Sequence, residues 1–393
     1  MLISSLLTRS IQKELNTFFS KLSGKDYSIL AVTKGALTQA RAKLKPDAFI
    51  ELSALAVKEF YKNENYLKWK GFRLVAVDGS TSNLPMHPSV EEEFGSVQTG
   101  CKGSVKTSMA RLSLLYDVLN CITLDAQIDS LKKSENSLLD KHIISGRLQP
   151  GDILLADRGY PSNALMYELH HKEIAFCMRM RSHWKEVSDF SDSDEQSRIV
   201  RFYLPRKDKK LQKKYNSEVD YVTCRLIAVP LETGEKEVLC TALLDEEKYT
   251  IEDIKALYHL RWNVEEAYKL LKVRLQLSNY SGKTSNSVKQ DFFAKIFMMN
   301  MCAIMSFPVE EKLRRENQNS QAKHIFQLNK TGIIATFKDS WIAFWLKKKS
   351  KQVLSAFDNI LFKTQEIVRP NRRFERKKYR YPDRKPAPPY KNI

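Results

Sequence analysis

Tyr258, Arg261, Glu265 and Lys272 lie within YHLRWNVEEAYKLLK (258–272) and combine the side-chain types that metal-assisted phosphate chemistry uses. On a helix they project within about 60° of one another. Leu257, Leu260, Val264, Ala267 and Leu271 form an apolar stripe centred about 100° away, so the four polar residues follow the edge where the helix leaves the core. Glu265 is on that edge, whereas Glu266 points about 100° further round, towards solvent. Two more acids close apolar runs: Asp78 follows LVAV and Asp157 follows ILLA. A carboxylate just past a buried strand sits at the rim of its sheet, where ligands gather. Three carboxylates meeting there would make a hard-oxygen site suited to Mg²⁺ or Mn²⁺ rather than zinc. Two such ions, about 3.5 to 4 Å apart, activate an attacking oxygen and stabilise the leaving oxygen of a phosphodiester. Arg261 and Lys272 would bind flanking phosphates, and Tyr258 would add a hydroxyl and a stacking face. Spacing alone leaves plainer readings open: a solvated helix face with a Glu265–Arg261 pair, and aspartates that only form turns or cap helices.

Such chemistry needs no covalent enzyme intermediate, hence no activated nucleophile. His142, His170, His171 and His183 show no H-E-x-x-H or comparable spacing and read as surface or core residues. Tyr258 lacks the Arg and His constellation that a covalent tyrosine nucleophile would need. The chain's 65 Lys and Arg against 46 Asp and Glu give a formal charge of +19, which favours a polyanionic partner. Six cysteines without a C-x-x-C pair argue against a zinc ribbon or a disulfide framework and fit reduced thiols in a cytoplasmic protein. MLISSLLTRSIQKELNTFF lacks the features of a signal peptide. FFAKIFMMNMCAIMSF (292–307), interrupted by Lys295 and Asn300, reads as a buried core helix, and no membrane role is expected.

These residues need a scaffold, and the pattern of elements supplies one. Residues 1–65 are helical in pattern, with Thr33 as a helix cap and Pro46 separating two helices. The polar and basic Thr38, Gln39, Arg41 and Lys43 leave two roles open, a helix pair entering a DNA groove or a bundle packed on the next domain. FRLVAV predicts a strand ending at Asp78, followed by a turn-like GSTSNLP; RLSLLYDV and CITLDAQI predict a hairpin. A helix over 130–148, the strand DILLA, a further helix and the strand IAFCMRM complete a β-β-β-α-β-α-β order. That order predicts an α/β fold with a mixed sheet flanked by helices. The first part of this core spans 66–180, and residues 181–248 read as a β-rich insertion. The second part, 249–310, carries the opening helix; a helical C-terminal region covers 311–368, and a basic tail covers 369–393. Between Arg369 and Lys385 the tail holds nine Lys and Arg against two acids, which favours an arm on nucleic acid over a solvated end.

The spacing Y-x2-R-x3-E-x6-K resembles the YREK signature of the bacterial cut-and-paste insertion-sequence transposases of the DDE class, matched by Tyr258, Arg261, Glu265 and Lys272. VAVDGSTSNLP is similar to that family's first-aspartate motif and LLADRGYPS to its second, in the right order around a β-rich insertion. The resemblance covers roughly residues 30 to 380. It implies a ribonuclease-H-like fold in which Asp78, Asp157 and Glu265 bind two Mg²⁺ or Mn²⁺ ions. It further implies binding of terminal inverted repeats in double-stranded DNA, cleavage at the element ends, in several members through a hairpin, and transfer of the freed 3′-hydroxyl into target DNA. Tyr258, Arg261 and Lys272 carry over as contacts to the DNA backbone, with Arg158 as a weaker candidate. A homodimer assembled on DNA and a bacterial cytoplasmic, nucleoid-associated location follow as expectations. Trp184 is the one tryptophan in the insertion, and no local motif assigns it a role. A stand-alone metal-dependent nuclease and a catalytically silent DNA-binding relic are the competing readings.

Overall fold

Alternate residues of the central strands face opposite cores, and this period of two builds the molecule. In the computed structural model, Leu74, Ala76, Leu112, Leu114, Ile153 and Leu155 pack on one side of the sheet with Ile254, Leu257, Val264 and Phe292. Val75, Val77, Leu115, Leu154 and Ala156 pack on the other with Leu139, Leu165 and Leu169. The structure describes residues 10–62, 65–99, 105–230, 236–319, 324–345 and 350–369. The tail from residue 370 onward therefore lies outside the described residues.

The strands of the main sheet are β1 (Arg73–Leu84), β2 (Val97–Thr99), β3 (Val105–Asp117), β4 (Ile122–Ser130), β5 (Asp152–Ala156), β6 (Ala175–Arg179), β7 (Ser197–Tyr203), β8 (Tyr221–Pro230) and β9 (Lys236–Thr241). β3 runs antiparallel to both β1 and β4, whereas β5 runs parallel to β1 and β6 parallel to β5. Helices Glu135–Ile144 and Asn163–His171 cover one face; Ile251–His259, Asn263–Lys269 and Ser285–Asn319 cover the other. The fold class is thus α/β, a mixed sheet between helical layers.

Two sequence expectations change. β1 does not end at Asp78: it runs on to Leu84 because β3 pairs with it residue by residue from Val75 to Leu84. The β-rich segment 181–248 continues the main sheet, with β9, β8 and β7 extending it outward from β6. The boundary drawn at residue 310 falls inside the single helix Ser285–Asn319.

That helix is long and apolar enough to cross a membrane, yet 67% of its most apolar window is buried inside the fold. Its polar interruptions are bonded: Asn300 brackets Thr123, accepting from its N–H and donating to its carbonyl, both at 2.8 Å, and the Lys295 ammonium reaches the Gln276 carbonyl at 3.0 Å. Two N-terminal helices, Lys34–Ala42 and Asp47–Lys62, dock on it. Thr33 caps helix Lys34–Ala42 by accepting from the Ala36 N–H, and Arg41 is buried in an ion pair with Asp291 at 2.8 Å, bonded also to Gln290 and Ser281. Arg41 is therefore spent on packing, and helix Asp47–Lys62 lies along Ser285–Asn319.

Candidate active site

Parallel pairing directs the first two acids to the same end of neighbouring strands. Ala76 of β1 is in register with Leu155 of β5, where the pairing stops; carried two residues further, that register would set Asp78 opposite Asp157, whose charge acts on Asp78. β1 continues against β3 alone, so Asp78 stands where the sheet loses its β5 neighbour. Asp157 follows β5 directly, and its Oδ1 accepts the Gly159 N–H at 2.8 Å.

Glu265 reaches the same place from the helical layer. Its element is not one regular helix: Ile251–His259 passes through a 3₁₀ turn, Leu260–Trp262, into Asn263–Lys269, and then into a π-turn, Leu270–Arg274. Such local rewinding often marks functional segments, and here it decides where Lys272 goes. The Lys272 ammonium donates to Ser80 Oγ at 2.6 Å, tying the π-turn to β1 two residues past Asp78. Tyr268 adds a second tie through its hydroxyl, which donates to the Asp78 carbonyl at 2.9 Å.

Burial pushes the Asp78 carboxyl up to about 7; the Gly79 N–H and Arg261 pull it down, and the charges of Asp157 and Glu265 push it up again. The three acids thus share one electrostatic neighbourhood. As placed, they do not form a closed metal-ligand cluster among the described residues. Glu265 is instead turned to Arg261, whose Nη2 donates to Glu265 Oε1 at 3.2 Å. The i, i+4 pair that a solvated face would show is therefore present, but Arg261 is only 6% exposed, so it lies under the rim rather than in solvent. Its Nε is buried with no hydrogen-bond partner. The donor set, all carboxylate oxygens on a half-buried rim, fits Mg²⁺ or Mn²⁺.

Tyr258 differs from its expected role. Its ring is buried in the core and sits 5.7 Å from the Arg261 guanidinium, so it supports that arginine rather than offering an open stacking face. Arg158 is exposed and lines a groove of about 920 Å³ with Arg179, Arg181, His183, Lys236 and Glu237. Trp184 is half-buried against Phe202, ring centroids 5.4 Å apart. Sequence reasoning missed Ser80, Tyr160 and Tyr268, which lie two or three residues from an acid, and Glu135 and Arg111, which come near the acids only through tertiary contact. His142 bridges Asp125 at 2.7 Å and Ser113 at 3.0 Å, a Ser-His-Asp arrangement with the imidazole and the serine fully buried; it braces β3 and β4 and has no access to substrate.

Residues 69–301, more than half of the chain, match the family model described as the transposase DDE domain. The chain is 22% identical over 291 residues to the transposase InsG for insertion sequence element IS4 of Escherichia coli (strain K12), covering 72% of this chain and 63% of that protein. It is 29% identical over 143 residues to the putative transposase InsZ of the same organism, covering 36% of this chain and 47% of that one. The chain therefore spans less than two thirds of the length of these curated relatives. A cryo-EM structure of the piggyBac transposase synaptic complex with hairpin DNA aligns with a TM-score of 0.41 at 10% identity, over 74% of this chain and 57% of that one, a likeness too slight to carry an argument.

Proposed function

The chain belongs to the transposase DDE domain family, and from that premise we propose that it is a DNA transposase that cuts at the ends of an insertion element and joins the freed 3′-hydroxyl to target DNA. Family membership implies dependence on a divalent cation. In this reading Asp78, Asp157 and Glu265 hold two Mg²⁺ or Mn²⁺ ions, which when bound activate the attacking oxygen and stabilise the leaving one. The observation that supports this reading most is the parallel register of β1 on β5, which runs towards Asp78 and Asp157, together with the charges of Asp157 and Glu265 acting on Asp78.

The chain's own residues do the positioning. Arg261 presents a buried guanidinium whose Nε has no protein partner, suited to a phosphate oxygen at the rim. Tyr258 supports that guanidinium from below. Lys272, bonded to Ser80, holds a positive charge beside β1. Arg158, with Arg179, Arg181 and Lys236, offers a basic track for the backbone of double-stranded DNA leading away from Asp157. Terminal inverted repeats and target DNA are the substrates, and two element ends must meet, so a homodimer forms on DNA. The working location is the bacterial cytoplasm, at the nucleoid. Residues 66–180 and 249–310 supply the catalytic core, 181–248 its sheet extension, and 369–393 a basic arm.

The test incubates the protein with Mg²⁺ or Mn²⁺ and DNA ending in the element's inverted repeats, alongside Glu265→Gln. Metal-dependent cleavage at the repeat boundary and joining to a target plasmid, both lost in the variant, are the expected result. Cleavage without joining would leave a nuclease; DNA binding without cleavage would leave a silent binder.

A further inference from the structure

A fourth carboxylate stands beside the three acids. Glu135 is the first residue of helix Glu135–Ile144, behind the Ser134 cap. Arg111 of β3, which pairs with Thr81 of β1, donates its Nη1 to Glu135 Oε1 at 2.8 Å. Two glycines leave the space that this carboxylate occupies. A Cβ at Gly79 would lie 2.6 Å from Glu135 Oε1; one at Gly159 would lie 3.0 Å from Asp157 Oδ1 and 3.9 Å from Glu135 Oε2. One oxygen of Glu135 is thus taken by Arg111, and the other borders the same gap as Asp157.

An independent observation points to a ligand in that gap. Tyr160 is 1% exposed and its hydroxyl is buried with no hydrogen-bond partner, whereas buried phenols ordinarily find one. Burial above all, and then the charges of Glu135, Asp78 and Asp157, keep the phenol protonated and able to donate. A buried donor among three carboxylates, bonded to none of them, is suited to an oxygen that arrives with a ligand.

We propose that Glu135 and Tyr160 are positioning residues of the divalent-cation site, presenting the free Glu135 oxygen and the Tyr160 hydroxyl to the water or phosphate oxygens around a cation held by Asp78 and Asp157. This rests on the reading of those acids given above. Glu135 acts through such oxygens rather than as a direct ligand because Arg111 already engages its carboxylate, and Mg²⁺ keeps much of its water. Groups that orient a metal's ligands in this way contribute about 10- to 100-fold in affinity.

The test titrates the metal-free, full-length chain with Mn²⁺ and follows free Mn²⁺ by its paramagnetic resonance signal, with no DNA present. Wild type binds, Asp78→Asn binds far more weakly, Glu135→Gln weakens binding by about 10-fold or more, Glu135→Asp partly restores it, and Glu266→Gln changes nothing. Wild-type affinity in Glu135→Gln, with Asp78→Asn impaired, overturns this inference alone. Wild-type affinity in Asp78→Asn overturns the assignment of the acids and this inference with it. Should Glu135→Gln fail to give a cooperative melt, Tyr160→Phe carries the test, since it keeps the ring and removes only the hydroxyl. Full Mn²⁺ affinity in that variant overturns the proposal.

Discussion

At the scale of residues, the balance between burial and charge at Asp78 bears on stability and, in the proposed reading, on metal affinity. The fold raises this carboxyl from its ordinary range to about 7, so between those values the unfolded chain is ionised while the folded one keeps its proton. Folding then binds a proton, and stability falls as pH rises through that window. Without divalent cation, Asp78→Asn is expected to melt higher than wild type at pH 8, with the gap narrowing towards pH 5; scanning calorimetry across pH checks it. Equal melting at every pH would mean that Asp78 is not strained by its surroundings. The proton also competes with the cation, so Mn²⁺ affinity should drop as pH falls below about 7, a trend that titration calorimetry at pH 6 and pH 8 would show or deny.

At the scale of elements, the irregular segment 251–274 does what a straight helix could not. The 3₁₀ turn brings Arg261 under the rim, and the π-turn delivers Lys272 to Ser80. Replacing Ser80 with Ala frees the ammonium, and DNA cleavage rates should fall several-fold with little change in melting temperature. The docking of the N-terminal helices is a separate matter. Arg41 and Asp291 are both buried, and removing one partner strands the other's charge, so Arg41→Ala is expected to cost about 3–5 kcal/mol in urea unfolding. Pairing it with Asp291→Ala should recover part of that loss, because the second change removes the stranded charge.

At the scale of the whole molecule, a formal charge of +19 would govern how the proposed DNA substrate is met. Binding to a repeat-bearing duplex should weaken steeply with salt, with a log–log slope of about 0.9 for each phosphate neutralised. Deleting residues 370–393 should lower that slope as well as the affinity; an unchanged slope in filter-binding titrations would remove the tail from the interface. The shape of the sheet adds a second constraint. Because β7–β9 extend it past β6, the groove lined by Arg158, Arg179, Arg181 and Lys236 joins core and extension in one surface. Sedimentation of the free chain and of its repeat complex would show whether two copies meet only on DNA.

Much of this was legible along the chain because local patterns carry it. The apolar runs before Asp78 and Asp157 give strands, and the 3.6-residue stripe separates Glu265 from the more exposed Glu266. Those signals depend on neighbours a few residues apart, which a linear reading sees. What tertiary structure alone decided depends on partners far apart in sequence. Pairing with β3 carries β1 beyond Asp78, packing buries Tyr258, and Asp291 claims Arg41 from 250 residues away. Glu135 joins the acids by the same route, since its tie to Arg111 and the space left by Gly79 put it there, and it leaves no periodic trace in the sequence.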